Sequence, residues 1–317
     1  MKKLLINIIL FFLIAIVVGE VVVRLTHTMS DIPQRTIDEH GIQKYFPNQN
    51  GYWKGGDHQW VINKLGWPGE LPQSYDNLIM VIGDSFIENF MNPNECHQSA
   101  FLKTNMKDYN FMEAARAGVS LIEAMEISKQ MDSLLPVNTL IYVNDTDFYE
   151  SITEVKPMSD ITQLNIKTNT IVYGEMKAPG LKKILYNWKL MYYFYNRFPL
   201  ENLINKNTEP KITHTEMDND VLEYSTEVKQ LIDFIKQKYT INDKTLVFHP
   251  NVNPSIIEIC KNAGFGTILL DSSNDNTWTF DYDHHWTCYG HEKAAEQVAS
   301  YLKERLHNIS EIKSPQL

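Results

Sequence analysis

Cysteine is scarce in this chain, with three among 317 residues, at Cys96, Cys260 and Cys288. They are too few and too scattered for a disulfide-stapled miniprotein or a cysteine metal cluster, and their odd number leaves at least one thiol free unless chains pair. Glycine (14) and proline (13) are modest too, which with 11% aromatic residues excludes collagen-like and low-complexity chains. Basic charge is in deficit. Lys and Arg number 29 against 39 Asp and Glu, a net charge of −10 that leaves no basic face for nucleic-acid phosphates. What is present, 43% hydrophobic residues over this length, suffices for a full core and an accessory segment.

The one long apolar run lies at the start. Residues 4–23 are interrupted only by Asn7 and by the pair Gly19 and Glu20, a length that at about 1.5 Å per residue approaches the thickness of a bilayer. Lys2 and Lys3 precede it and only Arg24 follows directly, so the positive-inside bias predicts a cytoplasmic N-terminus and an exterior remainder. A retained anchor is the reading, with cleavage near Val17-Val18-Gly19 as the alternative and the periplasm or medium as the destination if it occurs. Glu20 sits where a carboxylate can reach water. Beyond Arg24 the chain carries a net charge of −12, so the domain is expected to be repelled from an anionic membrane and to suit neutral or weakly charged ligands.

From 27 to 77, turn-formers recur without helical period, predicting an irregular, hairpin-bearing lead-in. The texture then changes. Apolar runs at 78–82, 109–112, 139–143, 245–248 and 267–270 read as strands buried on both faces. Between them Leu121, Ala124, Met125, Met131 and Leu135 mark one helical stripe, and Val221, Tyr224, Val228, Leu231, Ile235 and Tyr239 another. A last helix shows Ala294, Val298, Tyr301, Leu302 and Leu306 on one face, with Thr287 as its N-cap. Strands alternating with helices predict an α/β three-layer sandwich, its central parallel sheet of about five strands in flavodoxin-like order. Residues 148–214 break the rhythm and read as a partly helical insertion. Its aromatic cluster, including Trp188, Tyr192, Phe194 and Phe198 on a helix from near Lys182, is expected to pack inward, with a lid or acyl-chain contact as the lesser reading.

Ligands of open parallel sheets sit beyond the carboxyl ends of the strands. That selects four places. Gly83-Asp84-Ser85-Phe86 follows the first strand and presents Ser85 either as a nucleophile or as a helix cap. Gly118 follows the second, and Asn144-Asp145 the third, where an amide could serve an oxyanion or close an Asx turn. Asp283-His284-His285 stands before the last helix, where a carboxylate can orient one imidazole nitrogen while the other faces a nucleophile. The adjacent histidines are expected to diverge, leaving one base. A metal held by Asp283, His284, His285 and His291 is disfavoured, since no second ligand cluster accompanies them.

In this order the residues resemble the four blocks of the SGNH/GDSL hydrolase family: Gly83-Asp84-Ser85-Phe86, Gly118, Asn144-Asp145 and Asp283-His284-His285. The ending from His285 to His291 and the stretch Asn63-Lys64-Leu65-Gly66 are also similar to membrane-anchored members, and the likeness runs over about 60–306. Arg116 and Thr287 replace residues common in the family, and Asp283 lies two rather than three positions before His285.

The resemblance implies a Ser85-His285-Asp283 triad and an oxyanion hole from the Ser85 and Gly118 N–H groups with the Asn144 amide, with no cofactor and no metal. The apolar run and the turn-rich stretch set off an anchor (1–24) and a lead-in (25–77), and the resemblance makes 78–307 a catalytic domain, with a tail at 308–317. The resemblance also implies an extracytoplasmic esterase acting on acyl, above all acetyl, esters of carbohydrates or small molecules. Two alternatives stay open: an O-acyltransferase modifying a surface polysaccharide with a membrane partner that supplies acyl groups, and a non-catalytic polysaccharide-binding or assembly protein.

Overall fold

The structure, a computed structural model, describes residues 1–198 and 224–313. It opens with helix α1 (Lys2–Leu25), long and apolar enough to cross a membrane. Two hairpins follow, β1 (Arg35–Ile37) with β2 (Gln43–Tyr45) and β3 (Asn50–Tyr52) with β4 (Gln59–Val61), so the lead-in is hairpin-bearing as the turn-formers suggest. Tyr45, Trp60 and Ile62 give it a small core of its own, packed on Phe90.

The central sheet has five strands, all parallel: β5 (Leu78–Gly83), β6 (Asn110–Ala115), β7 (Asn138–Val143), β10 (Lys244–Phe248) and β11 (Gly266–Leu269). Their order, β11-β10-β7-β5-β6, reverses direction between β5 and β7, the doubly wound arrangement expected from the sequence. Each strand serves two cores because successive side chains face opposite ways. On β5, Leu78, Met80 and Ile82 pack with α4 (Leu121–Met131), α8 (Ser225–Lys238) and α9 (Pro254–Ala263), while Ile79 and Val81 meet α3 (Gln98–Asn105) and α10 (Cys288–Lys313). Burying one such side chain contributes about 1.5–3 kcal/mol, so β5, buried throughout, is the spine of the domain.

Several expectations are corrected. The second strand continues to Ala115 because Ala114 and Ala115 are as buried as the larger residues before them. Leu135 leaves the α4 stripe: the helix gives way after Met131 to a tight turn, and Leu135 lies 82% exposed at φ 54°. The 148–214 stretch, read as an insertion, packs onto the main core at its start. Phe148 in α5 (Asp145–Glu150), Ile152 and Leu164 in the β8 (Gln163–Asn165) and β9 (Thr170–Val172) hairpin belong to the main core. The expected aromatic helix is two helices, α6 (Pro179–Asn187) and α7 (Lys189–Arg197), broken at Trp188, and its rings largely face outward. Val221, the stretch 199–214 and the Leu306 side chain lie outside the described residues.

Candidate active site

The topological switch point puts the ends of β5 and β7 side by side, and each end delivers one sequence-predicted residue. After β5 the chain turns at once into α2 (Ser85–Glu88). Only glycine fits at 83, since a Cβ there would stand 2.5 Å from Ile87 Cγ1 and 3.3 Å from Tyr142. Asp84 caps the turn, its Oδ1 accepting from the Phe86 N–H at 3.0 Å. The cap role left open for Ser85 thus belongs to Asp84, and Ser85 is left at the half-buried rim.

After β7, Asn144 caps α5. Its Oδ1 accepts from the Thr146 N–H at 2.8 Å, and its own N–H donates to Asp147 at 2.8 Å, a reciprocal capping box. With the oxygen engaged, the amide NH2 is the free end, and it points to Asp84 Oδ2 at 3.5 Å, towards the Ser85 side. The turn-closing reading of Asn144 is met through its oxygen, and its NH2 group is left facing Asp84.

The hairpin of β12 (Thr279–Phe280) and β13 (Asp283–Trp286) brings in the third group. Asp283 Oδ1 accepts from the His285 backbone N–H at 2.9 Å and lies 2.5 Å from Nδ1. A carboxylate there keeps the proton on Nδ1, so Nε2 is an acceptor, and it stands 2.7 Å from Ser85 Oγ. Partial burial works against the Asp283 charge, but the His285 N–H and ring hold its carboxyl below the usual range. Phe86 backs the imidazole at 4.7 Å between ring centres.

His284 does not diverge from His285; the rings stack at 4.8 Å, but only His285 reaches the serine. Asp283, His284 and His285 do offer ligand atoms within 4.8 Å of one another. His291 takes no part in this group: buried, it accepts from the Gln98 amide at 3.1 Å.

Gly118 follows β6 at φ 81°, closing a turn in which the Val119 N–H donates to Arg116 O at 3.1 Å. Arg116 is a structural replacement. Buried, it binds Glu123 at 2.6 Å and the carbonyl of Ala117 at 2.7 Å, pinning the Gly118 loop to α4. Thr287 caps α10 as expected, accepting from the Gly290 N–H at 3.2 Å. A cavity of about 460 Å³ lies between Arg116-Ala117-Gly118 and α6, lined by Arg35, Lys177, Lys182 and Tyr186 among others.

Three groups escaped the sequence reading. His249 directly follows β10, buried with its ring 4.4 Å from Phe86, and burial, then the neighbouring histidines, push its pKa down to about 3. It stays neutral behind the imidazole. Asp84 and Asp147 form a buried carboxyl pair under Asn144. Burial above all raises Asp84 to about 6, and raises Asp147 as well, with Asp84 adding to the effect. The strand-end rule that found Asn144 also points to His249, because it too is the first residue after a core strand.

Several solved structures resemble the chain, two of them as follows. TesA matches 72% of this chain and 98% of its own at 11% identity and a TM-score of 0.38. A protein assigned to the lipolytic G-D-S-L family, from Desulfitobacterium hafniense DCB-2, matches 71% and 98% at 12% identity and a TM-score of 0.33. No family profile matches the chain, and no curated protein does. At that distance the functional reading rests on the site's own geometry.

Proposed function

We propose that this protein is a serine esterase of the SGNH/GDSL type that hydrolyses acyl esters, acetyl esters of carbohydrates or small molecules foremost, outside the cytoplasm. The observation that carries the reading is the Asp283–His285–Ser85 relay, with spacings of 2.5 and 2.7 Å on the face where a doubly wound sheet binds its ligands. In this mechanism Ser85 Oγ attacks the ester carbonyl as His285 Nε2 takes its proton. Asp283 holds the tautomer and stabilises the imidazolium. The carbonyl oxygen gains the electron pair and is met by the Ser85 and Gly118 N–H groups and the Asn144 amide. Collapse expels the alcohol, which takes the proton back from His285, and water then repeats the sequence to release the acid.

O-acyl transfer is the second reading, in which a sugar hydroxyl replaces water and a membrane partner supplies the acyl group. The packing of α1 on α7 favours it, because it ties the catalytic domain closely to the anchor; it also supports retention of α1. The two are separated by incubating the full chain with an activated acetyl ester, with and without an oligosaccharide acceptor. Free acetate alone supports the esterase, and an acetylated oligosaccharide the transferase. Equal rates for the natural chain and Ser85→Ala overturn both and leave the non-catalytic binder.

A further inference from the structure

The helices α6 and α7 combine three features that the proposed chemistry does not use. Their apolar residues face outward at helical spacing: Leu181 and Ile184 on α6, then Met191, Phe194 and Tyr195 on α7 and Phe198 at its C-terminal cap, each at least 40% exposed. Residues 177–198 also hold five cations, Lys177, Lys182, Lys183, Lys189 and Arg197, and no acid, in a chain of net charge −10. The third feature is their attachment. The first N–H groups of α7 have no cap of their own; those of Lys189 and Leu190 donate to the Glu20 carboxylate of α1 at 3.1 and 2.7 Å. Lys189 Nζ pairs with Asp31 at 2.7 Å, Arg24 donates to the Asn187 carbonyl, and Leu190 packs on Gly19.

We infer that α6 and α7 form a second membrane contact, an interfacial platform whose aromatic stripe lies at the headgroup–acyl boundary of an anionic bilayer beside the point where α1 emerges. From Leu4 to Gly19 is about 24 Å of helix, against a hydrocarbon thickness of about 30 Å. Gly19 and Glu20 therefore fall near one edge of the hydrocarbon, and α7, docked there, is at the depth where amphipathic helices and aromatic rings settle. Lys177 is paired with Asp160 and Lys189 with Asp31, which leaves Lys182, Lys183 and Arg197 to match anionic headgroups. Glu20 accordingly meets a helix terminus rather than water, and the overall acidity of the domain does not extend to this element.

The inference rests on α1 spanning the membrane, so the test reads the two separately. Single cysteines are placed in the full chain at Phe12, at Phe194 and, in case Phe194→Cys disturbs α7, at Leu181; native Cys96 and Cys288 are bonded and Cys260 is buried. Each is labelled with an environment-sensitive fluorophore and reconstituted in phosphatidylcholine–phosphatidylglycerol vesicles, with and without brominated acyl chains. A label at Tyr282, exposed on the hairpin of His285, is the aqueous reference. The platform predicts blue-shifted, bromolipid-quenched emission at positions 194 and 181 as well as 12, and loss of that quenching at 194 in Glu20→Ala. Quenching at 12 with positions 194 and 181 behaving like 282 overturns the platform and leaves the anchor standing. No quenching at 12 overturns both.

Discussion

His285 Nε2 stands 2.7 Å from Ser85 Oγ although 200 residues separate them in the chain. The distance is set by two independent supports, the capped turn after β5 for the serine and the Asp283 carboxylate for the imidazole. Removing Asp283 therefore costs orientation and charge together. Asp283→Asn is expected to lower kcat by about 10³–10⁴-fold with little change in KM, and Ser85→Ala by at least as much. Steady-state kinetics on an activated acetyl ester, with circular dichroism to confirm folding, checks both.

Asn144 holds two jobs that substitution can separate. Asn144→Ser keeps an oxygen for the α5 cap but loses the amide donor, so turnover should fall about a hundredfold or more while stability stays close to that of the natural chain. Asn144→Ala should lose the same turnover and about 1 kcal/mol of stability besides, from the missing cap. Equal melting temperatures for the two variants would contradict the assignment.

Asp84 carries a pH signature. Its carboxyl, raised by burial from 3.8 to about 6, binds its proton more tightly in the folded than in the unfolded chain. Its contribution is therefore most favourable below the unfolded value and declines as pH rises to about 6. Asp84→Asn, which still caps α2, should stabilise the protein at neutral pH and flatten the urea-unfolding profile between about pH 4 and 6.

Arg116 and Glu123 are both almost wholly buried, so deleting one strands the other. Arg116→Met is expected to cost about 3–5 kcal/mol, and Arg116→Met with Glu123→Gln much less, by chemical denaturation. Because Arg116 braces the Gly118 loop, the single variant should also lower kcat, whereas a purely global loss of stability would leave the kcat of folded protein unchanged.

The Cys96–Cys288 disulfide joins the segment before α3 to the first residue of α10, three positions after His285. Cys288→Ser should cost about 2–5 kcal/mol in denaturant unfolding, and dithiothreitol should have the same effect on the natural chain. Cys260, whose thiol is pushed up by burial, should resist alkylation until the protein unfolds.

The sheet was legible in the residues because strands buried on both faces must be continuously apolar, and the candidate site in part because strand ends in such a sheet have few chemically active side chains to offer. Ser85 and Asn144 stand at such ends, whereas Asp283 and His285 reach Ser85 from a separate hairpin. Leu135 misled because an apolar residue at helical spacing carries no mark of where the helix stops. His249, Asp84 and Asp147 went unread for a related reason: their ionisation depends on burial, and burial belongs to the packed chain.

By itself, then, the sequence determined the long apolar first segment, the five-strand pattern and the order of the candidate site residues, all of which follow from local periodicity and composition. Only the tertiary structure decided that Glu20 caps a helix 169 residues away, that Cys96 meets Cys288, and that the aromatic stripe of α6 and α7 faces outward. Amphipathic periodicity defines an apolar face but not what covers it; that is set by which other surfaces the fold brings within reach.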